Sequence, residues 1–369
     1  MKSLLRNTDI IILIAVLALV IIGIIGIYSA GYNDPELKED YFKQFIWFVA
    51  SLTIVVIVWL MDYNWFGILS IPIYIVCIGL LIAVLFTTPI YGATSWFKIG
   101  PASFQPSEIT KIVLILVSAK YIDFMVQKNK KAMNKWYNIL AVLGMMIVPV
   151  LLILKQPDFG TAAVFIFITV FMLFKAGIKY RYIVAGILII LISIPILYFF
   201  VLNGIQKQRI EVFLNPDLEP LGSGYNAIQS KIAVGAGMLF GTGLFKGTQT
   251  QFGYLPVKTS DFIFSVISEE MGFIISALIV IIYTVLLIRI INVAKTSKDT
   301  YGMLVTSGIF AMIFCHFIEN IGMTMGLLPI TGIPLPFVSY GGSNLLTNFI
   351  SIGIVLSVSA RRQRTIFVD

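Results

Sequence analysis

The chain has 369 residues, of which 59% are hydrophobic and only 12% are charged, and its formal net charge is +8. Soluble domains are about 45–50% apolar and about 25% charged, so this composition leaves too little polar surface to cover a soluble globule of this size. The same numbers exclude a disordered chain, a collagen and a disulfide scaffold, and they indicate a polytopic membrane protein.

Apolar stretches long enough to cross a bilayer recur along the whole sequence, since about 20 apolar residues suffice for a transmembrane helix. The first stretch is too long for the core of a signal peptide and lacks a small-residue cleavage site, so we expect it to be retained as a helix. We therefore expect an all-α integral membrane protein that forms one polytopic domain over residues 1–369. Its ten predicted spans are roughly 9–30, 42–61, 65–86, 107–125, 136–154, 158–175, 181–202, 262–291, 301–327 and 342–360.

Clusters of basic residues predict the orientation of these spans. With ten spans, every short basic cluster falls on one side of the membrane, and short loops rich in Lys and Arg are typically cytoplasmic. Both termini are therefore predicted to be cytoplasmic, and the basic excess gives no reason to expect a nucleic-acid partner. The clusters are Lys2 and Arg6; Lys128, Lys130, Lys131 and Lys135; Lys175, Lys179 and Arg181; Arg289, Lys295 and Lys298; Arg361, Arg362 and Arg364.

Three extracytoplasmic segments are unlike simple connectors, namely 87–106, 203–260 and 328–341. The second one joins predicted helices seven and eight and is far longer than an ordinary loop. It contains an amphipathic stretch at 225–238 that could lie in the membrane interface, followed by a glycine-rich run. We expect this long segment to move and open the site.

Ionisable residues near the extracytoplasmic ends of the spans are costly in a membrane and are therefore usually functional. Glu108 and Lys111 are three residues apart, hence on one helix face, and could form either a structural ion pair or part of a site. Asp158 stands where an N-cap is expected. Asp261 could also cap a helix, but the hydroxyl residues before it would serve equally well, so an acid there asks for another explanation.

Other polar residues inside the spans have a structural interpretation. His316, Asn320 and Thr324 recur every four residues and predict a stripe of interhelical hydrogen bonds. Glu269 and Glu270 lie deeper in the eighth predicted span, where they could be structural and face a hydrated interior.

This set of residue types favours group transfer from a lipid diphosphate over ion conduction. A carboxylate beside a cavity can deprotonate a hydroxyl group. A buried lysine can neutralise a departing diphosphate. A pair of carboxylates such as Asp158 and Asp261 suits a divalent cation that also binds phosphate oxygens.

Motifs along most of the chain resemble the SEDS family, whose name stands for shape, elongation, division and sporulation. The proline- and glycine-rich motif at 329–343 is the most specific of them, and GTQT at 247–250 resembles the RodA branch of the family. The motifs are 104–111 (FQPSEITK), 156–161 (QPDFGT), 208–216 (QRIEVFLNP), 222–231 (GSGYNAIQSK), 255–270 (LPVKTSDFIFSVISEE) and 320–344 (NIGMTMGLLPITGIPLPFVSYGGSN).

The resemblance implies a peptidoglycan glycosyltransferase that polymerises lipid II on the outer face of the bacterial plasma membrane during cell-wall elongation. It also implies a class B penicillin-binding protein as partner, together with the elongation machinery. A divalent cation, Mg²⁺ or Mn²⁺, is the only cofactor to consider, and no organic cofactor is expected.

Roles for individual residues follow from matching these motifs. Asp261 in SDFIF matches the essential family aspartate and is assigned as the general base, while Lys111 is expected near the diphosphate. Glu108 and Asp158 match further charges of the family's cavity, with Asp158 either positioning Lys111 or sharing a metal with Asp261. Two weaker candidates for lining the substrate groove are Trp96 and Ser343.

The sequence departs from the family pattern at four positions. Val257 stands where a glutamate is usual, so no role assigned to that glutamate can operate here. Ser260 replaces a threonine, while Phe159 replaces a leucine and Asn344 a serine, and the last two changes are mild.

Two other functions compete with the polymerase. A flippase for lipid II would need charges that traverse the bilayer, whereas the four strongest candidates cluster near the outer side. A non-catalytic scaffold for a transpeptidase would give no reason for an acid at Asp261.

Overall fold

A computed structural model describes residues 2–88, 94–99, 102–182, 184–186, 188, 207, 211–215, 218–219, 222 and 224–362. Most of the predicted span 181–202 and parts of the motifs at 208–216 and 222–231 lie outside the described residues. In chain order the elements are helices α1 (Lys2–Asn7), α2 (Ile10–Ala30), α3 (Asp40–Leu60) and α4 (Tyr63–Val84), strands β1 (Phe97–Ile99) and β2 (Ala102–Phe104), helix α5 (Pro106–Lys128), a 3-10 turn (Ala132–Asn134), and helices α6 (Trp136–Lys155), α7 (Phe159–Lys175), α8 (Tyr225–Ala236), α9 (Thr248–Gln251), α10 (Ile263–Lys295), α11 (Thr300–Thr324) and α12 (Gly342–Ala360).

Nine of the ten predicted spans coincide with helices, namely α2 to α7 and α10 to α12. Within the described ranges, seven of these helices are long and apolar enough to cross a membrane. Of the other two, α7 is apolar but has 17 residues, and α5 has 23 residues and carries charged side chains. The chain is therefore a multi-pass, almost entirely helical membrane protein, and the orientation given by the basic clusters stays a prediction.

The most deeply buried helices are α11 and α12, which form the centre of the bundle. Helix α12 packs on α3, while α11 packs on α5, α7 and α10, and α2 packs on α10. The outer helices expose apolar side chains instead, such as Ile68 and Ile75 of α4. In a bilayer such residues face lipid, so exposed apolar surface on this chain is ordinary.

A small hairpin lies within the predicted segment 87–106. Strands β1 and β2 pair antiparallel, with Phe97 opposite Phe104 and Ile99 opposite Ala102. Helix α5 begins directly after β2, and its first residue is Pro106, which suits this position because the first N–H of a helix has no partner within the helix. The hairpin therefore fixes the approach to the charged end of α5.

The predicted span 262–291 is present as α10, and the structure breaks this helix at Gly272. This residue has φ 74° and ψ −174°, a backbone conformation open to glycine and strained for other residues. The chain that follows α8 takes over the freed backbone groups: Phe273 N donates to the Met238 carbonyl at 2.8 Å, and Thr242 N donates to the Glu269 carbonyl at 2.9 Å. Irregular backbone at this depth is satisfied by protein, as a membrane requires.

The two glutamates before this break are structural, which agrees with the interpretation made from the sequence. Both are buried. Glu269 accepts hydrogen bonds from Gln249 N (2.8 Å) and Thr250 N (3.0 Å), so it caps the four-residue helix α9. Glu270 accepts from Ser29 Oγ and from Gln251 Nε2. The pair thus fastens the 247–251 segment to α10 and α2.

Candidate active site

Asp261 lies in the turn that leads into α10, and its backbone is fixed from another helix. Asn320 of α11 donates through Nδ2 to the Asp261 carbonyl at 2.9 Å and to the Ile333 carbonyl at 2.7 Å. One side-chain amide therefore joins the turn to the proline- and glycine-rich loop. Asn320 of the polar stripe therefore bonds a turn and a loop, and the interhelical hydrogen bond predicted for the stripe is the one between His316 and Lys111.

The residues just before Asp261 are held by the same loop. Ser339 Oγ donates to the Ser260 carbonyl at 2.6 Å, and Tyr340 N donates to the Thr259 carbonyl at 2.9 Å. Gln44 of α3 is fully buried and braces the loop from behind, since Nε2 donates to the Ser339 carbonyl at 3.0 Å. The Asp261 side chain is thus presented by a backbone that is fixed on both sides.

The Asp261 carboxylate has few partners of its own. Ser260 Oγ donates to Oδ1 at 3.1 Å, and no ion pair involves this carboxylate within the part of the chain that the structure describes. Burial raises the pKa of Asp261 to about 6, the Ser260 hydrogen bond opposes this rise, and the negative charge of Asp158 adds to it. A carboxylate of this kind is ionised at neutral pH and can still accept a proton.

Lys111 is buried beside Glu108 at the start of α5. Its Nζ lies 2.7 Å from Glu108 Oε1, so the predicted pairing on one helix face is confirmed. The two side chains are 1% and 4% exposed, which makes this a buried ion pair. Nζ also lies 2.8 Å from His316 Nε2 of α11. The positive charge is therefore held between two helices and is not free in solvent.

Asp158 acts as the predicted N-cap of α7. Its Oδ1 accepts from Thr161 N at 3.0 Å and its Oδ2 accepts from Thr161 Oγ1 at 2.8 Å. Gln105 Nε2, at the residue before α5, lies 3.4 Å from the same Oδ2. Lys111 and Glu108 are within electrostatic reach of this carboxylate. The cap thus also belongs to a charged cluster formed by Glu108, Lys111, Asp158 and Asp261, and the two interpretations made from the sequence are compatible.

The two weaker candidates lie near the hairpin. Ser343, at the start of α12, is buried and donates through Oγ to the Ser103 carbonyl of β2 at 2.9 Å. Trp96 is half-buried and comes directly before β1. Ser343 therefore fastens the hairpin to the bundle, and a contact of either side chain with substrate stays a prediction.

The two proposed metal ligands would not be enough to hold a metal ion by themselves. Asp158 and Asp261 offer two carboxylates, and the described ranges contain no group of three or more His, Cys, Asp or Glu residues able to hold a metal. Mg²⁺ is commonly bound by one or two carboxylates together with substrate phosphates and water. The pair therefore fits a cation that arrives with a diphosphate better than one that is held by protein alone.

Three residues of this cluster were not identified from the sequence as part of the site. The spacing of the polar stripe predicts interhelical hydrogen bonding by His316, which is confirmed, but it does not identify Lys111 as the partner. Gln105 reaches Asp158, and Glu319 lies within electrostatic reach of both Lys111 and Asp158. His316 and Glu319 carry a signal in the sequence, because both are ionisable residues within an apolar span, whereas Gln105 carries none.

The bundle and its cluster define a polytopic membrane protein with a charged site assembled where α5, α7, α10 and α11 meet. The sequence profile of the FtsW, RodA and SpoVE family, described as cell cycle proteins, matches residues 9–364, and the chain belongs to this family. This is the SEDS family that the motifs indicated.

Individual relatives agree with this membership. The chain is 36% identical over 352 residues to the peptidoglycan glycosyltransferase MrdB of Escherichia coli K12, covering 95% of this chain and 93% of that protein. It superimposes on the rod shape determining protein RodA of Thermus thermophilus with a TM-score of 0.71 and 26% identity, covering 97% and 98% of the two chains. A chain from a peptidoglycan synthase complex gives a TM-score of 0.81 at 29% identity, covering 95% and 97%.

Proposed function

We propose that the protein is a peptidoglycan glycosyltransferase that polymerises lipid II into glycan strands during cell-wall elongation. The observation that supports this most is Asp261, a carboxylate on a fixed backbone whose pKa lies at about 6. Relatives that carry the name peptidoglycan glycosyltransferase span nearly the whole chain. We place the active site on the outer face of the bacterial plasma membrane.

In the proposed reaction Asp261 takes the proton from a hydroxyl group of the acceptor sugar. The hydroxyl oxygen then attacks the anomeric carbon of the donor, and the bond from that carbon to the lipid diphosphate breaks. The leaving diphosphate keeps the bonding electron pair. Lys111 lies in the same cluster and would offset the charge that develops on the leaving group.

Glu108 and Asp158 would set the charge of the cluster around Lys111. Glu108 would offset the positive charge of the buried lysine through its 2.7 Å contact. A divalent cation, Mg²⁺ or Mn²⁺, held by Asp158, Asp261 and substrate oxygens would neutralise the diphosphate when bound. We also propose that Trp96 and Ser343 line the groove that receives the substrate.

Partner proteins belong to the same proposal. A chain of similar fold occurs in a peptidoglycan synthase complex. We therefore expect a class B penicillin-binding protein to bind this chain within the elongation machinery and to activate polymerisation.

The test uses purified protein with labelled lipid II, alone and with a penicillin-binding protein partner. We expect glycan polymer from the wild type and none from a folded Asp261→Ala variant. Asp123→Ala is the matched control, because it removes another carboxylate of a buried aspartate, one that contacts Gln127 far along α5. Normal polymerisation by Asp261→Ala would exclude this residue as the general base.

Two further arms separate the other roles. Lys111→Met should lose activity, whereas Lys111→Arg should keep part of it if the lysine acts through its charge. Chelation followed by addition of Mg²⁺ or Mn²⁺ tests the cation. Movement of lipid II across vesicle membranes without formation of polymer would favour the flippase. Activation of the partner by Asp261→Ala would favour the scaffold.

A further inference from the structure

His316 is the only histidine in the chain, and the structure places it against the lysine of the active-site cluster. Its side chain comes from α11, 205 residues away from Lys111 in α5. Both residues are almost fully buried, at 3% and 1% exposure. A contact of this kind constrains both partners, because neither can turn to water.

The donor and the acceptor in the hydrogen bond between Lys111 and His316 can be assigned. Lys111 forms an ion pair with Glu108 at 2.7 Å, so its side chain is an ammonium group. An ammonium group has three donors and no acceptor, so His316 Nε2 must accept with its lone pair. The ring is then neutral, and its proton lies on Nδ1.

The other ring nitrogen agrees with this assignment. His316 Nδ1 makes no hydrogen bond of ordinary geometry in the described part of the chain, and the backbone carbonyl of Pro334 is close enough to act on the ring. Nε2 already accepts from Lys111, so a hydrogen bond from the ring to this carbonyl has to come from Nδ1, which then carries the proton. Pro334 adjoins Ile333, whose carbonyl is held by Asn320, so the ring lies between Lys111 and the loop that braces Asp261.

We propose that His316 is a positioning residue. Its neutral ring, with the proton on Nδ1, accepts a hydrogen bond from Lys111 through Nε2 and so fixes the position of the ammonium group. Glu108 and His316 use two of the three ammonium hydrogens, and the third is directed at an oxygen of the substrate diphosphate. The role of the third hydrogen rests on the proposed function. The histidine–lysine contact and the tautomer do not.

The first test observes the ring directly. Protein carrying ¹⁵N-histidine, purified without a histidine tag and placed in lipid bilayers, should give one set of ring nitrogen signals in magic-angle-spinning NMR. We expect a neutral ring with Nδ1 protonated, and a shift of the Nε2 signal in Lys111→Met. An imidazolium, an Nε2-protonated ring, or an Nε2 signal that Lys111→Met leaves unchanged would overturn the proposal.

The second test uses two amides that mimic opposite ring nitrogens. The oxygen of His316→Gln can occupy the position of Nε2 and accept from Lys111, whereas the shorter His316→Asn reaches only the position of Nδ1. We expect His316→Gln to keep most of kcat and His316→Asn to lose about tenfold to a hundredfold, because a misplaced charged group costs this much. Equal kcat values for the two variants would overturn the positioning role. If the wild type itself makes no polymer, the proposed function fails while the NMR result still decides the contact.

Discussion

Replacing Asp261 by Asn should stabilise the fold at neutral pH, although the same change removes the proposed general base. Burial raises the pKa of Asp261 to about 6, against 3.8 for a free aspartate. The native state therefore holds a proton that the unfolded chain has already lost between these two pH values. As pH rises through that window, the wild type loses stability because the ionised carboxylate is more costly in the native site than in water.

The size of this effect follows from the difference in pKa. About two pH units at 1.36 kcal/mol each give at most about 3 kcal/mol at pH 7.5. At pH 5 the native carboxylate is mostly protonated, and roughly half of this cost is left. Asn does not titrate, and its side-chain oxygen can still accept from Ser260 as Asp261 does at 3.1 Å. The variant should therefore gain most at neutral pH and about half as much at pH 5.

Thermal unfolding of the purified protein in detergent, followed at both pH values, measures this directly. We expect a midpoint several degrees higher for Asp261→Asn at pH 7.5. Asp34→Asn is the control, since Asp34 pairs with Lys258 at 3.4 Å and should gain nothing from losing its charge. An unchanged or lower midpoint for Asp261→Asn at pH 7.5, or a gain that grows on acidification, would refute the reasoning.

Three further outcomes are expected. The polymerisation rate should fall about tenfold from pH 7 to pH 5, because protonation of Asp261 with its pKa of about 6 removes the base; a flat profile in initial-rate assays would contradict this. Glu269→Gln should destabilise the 247–251 segment by about 1–3 kcal/mol, since it weakens the cap on Thr250 N. Hydrogen exchange at that segment should then accelerate, and an unchanged exchange rate would show that the cap does not stabilise it. Gly272→Ala should cost about 2 kcal/mol because of its positive φ, whereas Gly79→Ala, with open space around it, should not lower the unfolding midpoint; equal midpoints would argue against the break in α10.

The spans were predictable because membrane insertion depends on local composition. A stretch such as Ile10–Ala30 is apolar enough to be assigned without knowledge of its neighbours. The break at Gly272 was not predictable in this way, since a single glycine in an apolar stretch is compatible with a continuous helix. It forms because Met238 and Thr242, which lie 34 and 30 residues before Gly272 in the chain, satisfy the backbone groups on either side of the break.

In the site, too, the contacts between neighbours in the sequence were predictable and those between distant elements were not. Glu108 and Lys111 could be paired from the sequence because three residues of a helix bring them together. Asp158 could be assigned as a cap for the same local reason. The contact of His316 with Lys111 depends on how α11 packs against α5, and no spacing along the chain encodes it.

Helix α11 connects Lys111 and Asp261, the two charged parts of the site that the proposed reaction would need at a fixed distance from each other. His316 contacts the Lys111 amine, and Asn320, one turn further along the helix, holds the carbonyl of Asp261. Four residues of α-helix rise about 6 Å, and this distance does not stretch. Any tilt or shift of α11 therefore moves the lysine and the base together relative to the lipid. A partner protein could activate such a site by moving the surrounding segments, whereas a change that separated the base from the lysine would have to break one of these two contacts.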